Sequence, residues 1–438
     1  MRQLTAADHA RIRLQLILIP AYLWLFYDWQ DILLHLPLGL PGSNVVFKRD
    51  FIQFYIQGVV ARQHDAHALY DVESLAALVP RFVPGVSNLP FPPVYGPQMS
   101  VFFSPLAALP YGAALSIWIG VSIAIYLGCG YAVWKVCPRL RDRPWTVALL
   151  LVADPTLYFA LRFAQASPIG LLCVTGAFFA LRANRPFVAG LAIGSLIYKP
   201  QLGLAAAVIF FFAREWRIVL GAIAGAALQL AGACVFWGPS ILVAYVRSLS
   251  RILPETTMWE TNEFHMHSWR AFFDLLGLPV AVATGAYMVV AAIVLIVALL
   301  CWRARGPLAV RYSVFLLATV LADPHIYSYD FVVLTPALLL LWDWALEQEP
   351  RTIGDVLPSV PFDWLRGRSF SAAFQWLLYF CYLSPQFSIV ALVLHVQLSV
   401  PAISLLGLVL AGFLLSTTRQ PVGGLAGGGW NPSRPYGL

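Results

Sequence analysis

Long apolar stretches free of charge, separated by short basic clusters, recur along most of this chain. No charged residue occurs from Ala113 to Trp134, and none from Leu278 to Leu300. A helix crossing the hydrocarbon of a bilayer needs about 20 such residues. Of the 438 residues, 60% are hydrophobic and only 11% are charged, against about 25% charged in ordinary soluble domains. A soluble chain of this length needs a polar shell that this sequence lacks, and lipid removes that need. The sequence therefore predicts an all-α polytopic membrane protein. The net charge of +7 does not read as a nucleic-acid signal, because the basic residues sit between apolar runs as the positive-inside rule expects of cytoplasmic loops. Cys129, Cys137, Cys173, Cys234, Cys301 and Cys381 lie in or beside apolar stretches with no CxxC pair. They read as small core or lipid-facing residues.

Charge and apolar length together predict a topology. Arg2, Arg11 and Arg13 precede an aromatic-rich run from Ile12 to Trp29, read as an uncleaved first span with its N-terminus in the cytoplasm. The first outer loop, 30–112, follows. Within it Phe51, Tyr55 and Val59 recur at helical spacing, which predicts an amphipathic helix on the membrane surface. Tyr95–Pro110 is apolar but interrupted by Pro97, Pro105 and Pro110, and is expected to dip into the outer surface without crossing. Further runs alternate outward and inward between basic clusters at 135–143, 182–185, 214–217 and 303–311. The total is about 12 transmembrane helices with both termini inside. The division expected is a catalytic transmembrane module over 1–346, a cytoplasmic linker over 347–370, C-terminal helices over 371–418 and a disordered Gly/Pro-rich tail over 419–438. Gly221 and Gly225 have the small-residue spacing that suits close helix packing.

The inner loops are basic and uniform, whereas the outer face is chemically varied. Lys48, Arg49, Asp50, His64, Asp65, His67, Asp71 and Glu73 fall in the first outer loop. Later outer turns carry Arg162 and Gln165, then Lys199 and Gln201, then Glu255, Glu260, Glu263, His265 and His267, and last His325, Tyr329 and Asp330. Lys199 breaks the positive-inside pattern. It reads either as a snorkelling side chain or as a cation aimed at an anionic ligand. Asp50 reads either as a helix N-cap or as a catalytic carboxylate. Glu263, His265 and His267 have metal-like spacing, although HxH on an exposed loop more often reflects a solvated loop. Asp323-Pro324-His325 fits a turn or a ligand site equally. Trp29, Trp237, Trp259, Trp269 and Trp302 suit an interfacial belt. No phosphate-cradling loop or dinucleotide fingerprint occurs.

The ordered set of motifs resembles glycosyltransferase family 87 within the GT-C class of membrane glycosyltransferases. Asp50-Phe51 leads to Phe54-Tyr55, Gly58 and Leu69-Tyr70-Asp71; Pro92-Pro93 precedes Ser104-Pro105-Leu106 and Leu109-Pro110. Gln165, the Gly190–Gly194 span ending in Lys199-Pro200-Gln201, Asp323-Pro324-His325 and Tyr329-Asp330 follow in order. The turn Gln165-Ala166-Ser167 departs from the family's usual Gly-Gln followed by Asn. The resemblance implies a GT-C-like fold. It also implies an inverting transfer of mannose, or another hexose or pentose, from a polyprenyl-phosphate donor to a lipid-linked or glycan acceptor at the outer face. On this reading Asp50 is the general base. Lys199 meets the leaving phosphate, assisted by His325, Arg162 and Gln201, and Gln165, Tyr95 and Tyr329 complete the substrate-binding set. No cofactor or metal is expected, and the partners are the lipid donor, the acceptor and membrane lipids. A secondary transporter or lipid flippase is the alternative; it predicts ionisable groups at the midplane and internal repeats.

Overall fold

The computed structural model describes residues 26, 50–83, 86, 90–252, 263–349, 351–357 and 366–419. The expected first span, Lys48, Arg49, Glu255, Trp259, Glu260, the middle of the linker and the C-terminal tail lie outside the described residues. Every regular element among those described is helical; the pairs Met266–Tyr327 and Thr352–Ser369 are isolated bridges.

Helix α1 (Phe51–Gln63) forms where the apolar spacing predicts one, but it does not lie on a surface. Ile52, Phe54, Tyr55, Ile56, Gln57, Gly58, Val59 and Val60 are all buried, so it is enclosed on every side. The predicted stripe is real, and the polar-looking opposite side is covered too. Gly58 explains part of this, because a Cβ there would meet the Phe103 carbonyl oxygen at 2.8 Å. The amphipathic helix of this region is instead α2 (Val72–Phe82). It buries Leu75, Ala76 and Val79 and is capped by Asp71, which accepts the Ser74 N–H at 2.9 Å. Helix α3 (Pro97–Phe103) has seven residues, about 10 Å of rise and far below the thickness of hydrocarbon.

The apolar body follows: α4 (Tyr111–Lys135), α5 (Pro144–Val152), α6 (Pro155–Phe163), α7 (Ser167–Arg182), α8 (Pro186–Gly194), α9 (Leu204–Phe212) and α10 (Trp216–Trp237). Then come α11 (Ser240–Ile252), α12 (Trp269–Leu275), α13 (Val280–Arg303), α14 (Leu308–Ala322), α15 (Thr335–Glu347), α16 (Phe370–Leu383) and α17 (Ser399–Arg419). Proline opens α3, α5, α6 and α8 at the first turn, where its missing N–H costs nothing. The Trp145–Phe163 run breaks at Asp154-Pro155. Asp154 caps α6 by accepting the Thr156 N–H at 2.8 Å and is held by the Tyr126 hydroxyl at 2.7 Å. That satisfies a carboxylate inside an apolar stretch.

Six helices among the described residues are long and apolar enough to cross a membrane: Tyr111–Lys135, Pro144–Phe163, Trp216–Trp237, Val280–Arg303, Ser328–Glu347 and Ser399–Thr417. Other runs that the charge pattern counts as crossings, such as Pro186–Tyr198 and Leu202–Ala213, form shorter apolar helices, Pro186–Tyr198 and Pro200–Phe212. Helices α14 and α15 are buried almost throughout, while α10 and α13 present Leu220, Ile223, Leu228, Met288, Ile293 and Ile296 outward. Outward apolar side chains of this kind suit lipid. Helix α8 meets α10 backbone to backbone. A Cβ on Gly190 would lie 2.1 Å from the Ile218 carbonyl oxygen, on Gly194 2.0 Å from that of Ala222, and on Gly221 2.1 Å from that of Phe187. Small residues are needed on both helices for this approach, and it fixes the segment that runs on to Lys199.

Candidate functional site

Asp50 immediately precedes α1, yet its side chain makes no capping bond. The carboxylate instead accepts the Gln165 amide Nε2–H, which removes the capping alternative. Gln165 sits on the turn between α6 and α7, where Ala164 adopts φ 49°. The carbonyls on either side of Gln165 are pinned: Trp118 Nε1–H donates to Ala164 at 3.1 Å and the Tyr198 hydroxyl to Ala166 at 3.2 Å. The Tyr95 hydroxyl donates to Gln165 Oε1 at 3.3 Å, which orients the amide so that its NH₂ faces Asp50. Tyr95 in turn packs on Phe54 of α1 with centroids 4.8 Å apart. Burial, then the nearby charges of Asp330 and Asp50, push the Tyr95 phenol well above its usual range, so it remains a donor.

The second half of the site is the ion pair of Lys199 with Asp330. Lys199 Nζ donates to both carboxylate oxygens at 2.6 Å, and the Ser167 hydroxyl donates to Oδ1 at 2.6 Å. The Tyr327 N–H reaches Oδ2 at 3.3 Å. Asp330 is wholly buried and Lys199 nearly so, a cost that this full set of partners offsets. Lys199 Nζ also lies 5.2 Å from the Tyr329 ring centroid. Lys199 is therefore neither snorkelling nor exposed. Asp330 is a residue to which sequence reasoning gave no role. The available signal was a carboxylate at the head of the buried run Phe331–Leu334, where a charge needs a partner.

The two halves act on each other electrostatically. The Asp50 carboxyl is pushed up to about 6, chiefly by burial, with Asp330 adding to the rise. The Gln165 hydrogen bond and the Lys199 charge oppose that shift. Asp323 is likewise pushed up to about 6 by burial, against the pull of the His325 N–H, which it accepts at 2.8 Å, and of Lys199. His325 is half-buried with its ring 5.0 Å from that of Tyr327, which stacks at 5.3 Å on Tyr329. A continuous aromatic ladder thus joins His325 to Lys199.

The structure therefore brings together Asp50, Gln165, Tyr95, Lys199 and Tyr329, with His325 attached through the ladder. Gln201 lies half-buried on the 3₁₀ turn Pro200–Gly203, two residues beyond Lys199. Arg162 is exposed; it donates to the Tyr158 hydroxyl and stands over the Tyr158 ring at 5.8 Å.

The HxH loop differs from expectation. His267 is wholly buried, with Nδ1 2.7 Å from Ser399 Oγ and Nε2 2.8 Å from Ser328 Oγ. Both ring nitrogens are occupied, so the metal-like spacing has a structural use. Burial, with His265 nearby, pushes the ring down to about 3, and it stays neutral. Glu263 and His265 form a 3₁₀ turn beside it. Among the described residues no group of three or more His, Cys, Asp or Glu could hold a metal ion.

Residues 94–324 match the model of glycosyltransferase family 87, just over half of the 438-residue chain. No curated protein and no solved structure matches. The matched region includes Tyr95, Gln165, Lys199 and Asp323, while Asp50 and Asp330 flank it on either side. This chain belongs to glycosyltransferase family 87.

Proposed function

We propose that the protein is an inverting glycosyltransferase of the GT-C type, taking a sugar, mannose foremost, from a polyprenyl-phosphate donor. The acceptor is a lipid-linked or glycan hydroxyl at the extracytoplasmic face of the membrane, with both termini in the cytoplasm and about a dozen crossings. The observation that carries this reading is the orientation of Asp50. Its carboxylate forgoes the helix end beside it and is half-buried in the network of Gln165, Tyr95, Lys199 and Asp330. A carboxyl pushed toward 6 matches a general base working near neutral pH better than an ordinary surface aspartate does.

The acceptor hydroxyl attacks the anomeric carbon and gives its proton to Asp50. The glycosyl–phosphate bond breaks, and the polyprenyl phosphate leaves with its charge. One displacement at that carbon inverts it, by the same logic that separates inverting from retaining hydrolases. His325, Arg162 and Gln201 are the donors proposed for the leaving phosphate, with Lys199 supplying positive potential from behind its ion pair. The lipid donor needs no soluble-nucleotide site, and no metal or cofactor enters the scheme.

The test is transfer by the purified full chain in lipid nanodiscs, using polyprenyl-phosphomannose and related polyprenyl-phosphate sugars with lipid-linked acceptors. Asp50→Asn is expected to fold and to lose at least about 100-fold in turnover, the lower end of what a positioned base contributes. Near-normal turnover by folded Asp50→Asn removes Asp50 as the base.

A further inference from the structure

The charge of Lys199 acts on Asp50, yet its salt bridge is with Asp330. Lys199 spends its ammonium on both oxygens of Asp330, at 2.6 Å each, while Asp50 takes a neutral amide from Gln165. A direct lysine partner would stabilise the Asp50 carboxylate and make it a poorer proton acceptor. Asp330 is itself anchored independently of Lys199, by the Ser167 hydroxyl and the Tyr327 N–H. From this geometry we infer that Asp330 is a positioning residue that withholds Lys199 from Asp50, so that no cation among the described residues pairs with the base and it stays basic. This rests on the reading of Asp50 as the base.

Among the described residues, the titratable groups that bear on Asp50 are Lys199, Asp330, Tyr95 and Tyr329. Tyr95 is fixed as a neutral donor, so the two charges decide. Removing the negative charge of Asp330 ends its repulsion of Asp50 and releases Lys199 toward it; both effects favour the carboxylate. Removing the positive charge of Lys199 does the reverse. The two substitutions therefore act on Asp50 with opposite sign, which a purely structural role for the ion pair does not predict.

Infrared pH titration of the full chain in lipid nanodiscs, without any donor, reads this directly. The Asp50 carboxyl band is assigned by its disappearance in Asp50→Asn. Its midpoint is expected near 6 in the unsubstituted chain. Asp330→Asn should lower the midpoint by about one pH unit and Lys199→Gln should raise it by about one, the lower end of shifts caused by a neighbouring charge. The double substitution should cancel most of the displacement. An unmoved or raised midpoint in Asp330→Asn overturns the inference. If Asp330→Asn does not fold, Lys199→Gln decides alone, and an unmoved or lowered midpoint overturns it. Activity in Asp50→Asn would defeat the base assignment while leaving these midpoints as measured, so the two failures are distinguishable.

Discussion

On the proposed role of Asp50 as the base, a carboxyl pushed up to about 6 accepts a proton only above that pH, which sets an acidic limit on the reaction. The value of kcat/KM is expected to fall about tenfold per pH unit below about 6. A rate profile flat down to pH 5 would separate transfer from Asp50 ionisation. His267 imposes a different dependence. Its ring titrates near 6.5 in an unfolded chain and about 3 in the folded one, so between those values the unfolded state binds more protons and stability falls as pH falls. Thermal unfolding midpoints should drop between pH 6.5 and pH 4, and His267→Gln should flatten that slope even if it lowers the midpoint at pH 7. Lys199 stood out in the sequence because a cation at the outer end of an apolar run demands a reason, and Asp50 was singled out by its place in the family resemblance. Their partners were not legible. Asp330 is 131 residues from Lys199, and Gln165 is 115 from Asp50; no local pattern encodes pairings at that range.

The run of three glycine contacts between α8 and α10 makes a prediction of its own. Gly194→Leu places side-chain atoms where the Ala222 carbonyl already stands, since even a Cβ falls at 2.0 Å. Separating the helices should cost about 1–3 kcal/mol, seen as a lower unfolding temperature, and should reduce turnover because Lys199 follows directly from α8. Unchanged stability and turnover in that variant would mean the two helices part without consequence. Gly221 and Gly225 were readable as a packing face, but their partner was not. Helix α1 shows the opposite limit: its spacing read as an amphipathic surface helix, yet Gln57 is 2% exposed. Apolar periodicity locates a helix more reliably than it says how many sides are covered. Proline carries a sharper local signal, since Pro97, Pro144, Pro155 and Pro186 each stand in the first turn of a helix whose start hydropathy alone blurs.

Across the whole molecule, the C-terminal helices do not stand apart from the segment that carries the candidate site. The Gln397 Nε2–H group donates to the carbonyls of Phe264 and Met266 at 3.0 and 2.8 Å, and His267 joins Ser399 to Ser328, two residues before Asp330. The His267 N–H donates to Ile326 at 2.8 Å. Segment 263–268 is thus clamped between the C-terminal helices and the stretch that carries Asp323, His325 and Asp330. Ending the chain after residue 369 is expected to abolish transfer and to expose 263–268 to proteolysis. An active, protease-resistant truncation would make the C-terminal helices dispensable. The sequence divided this region at its charged linker; nothing local announced that a buried histidine bridges the division.

The backbone contact of α8 with α10 also bears on how the protein meets its bilayer. Helices joined through side chains can slide or roll by repacking rotamers, but carbonyls lodged against glycine Cα atoms leave no such slack. The pair must tilt as one body when the bilayer thins or thickens. Lys199 follows α8 through the single 3₁₀ turn Ser195–Tyr198, so the outward apolar surface of α10 is mechanically geared to a charge that acts on Asp50.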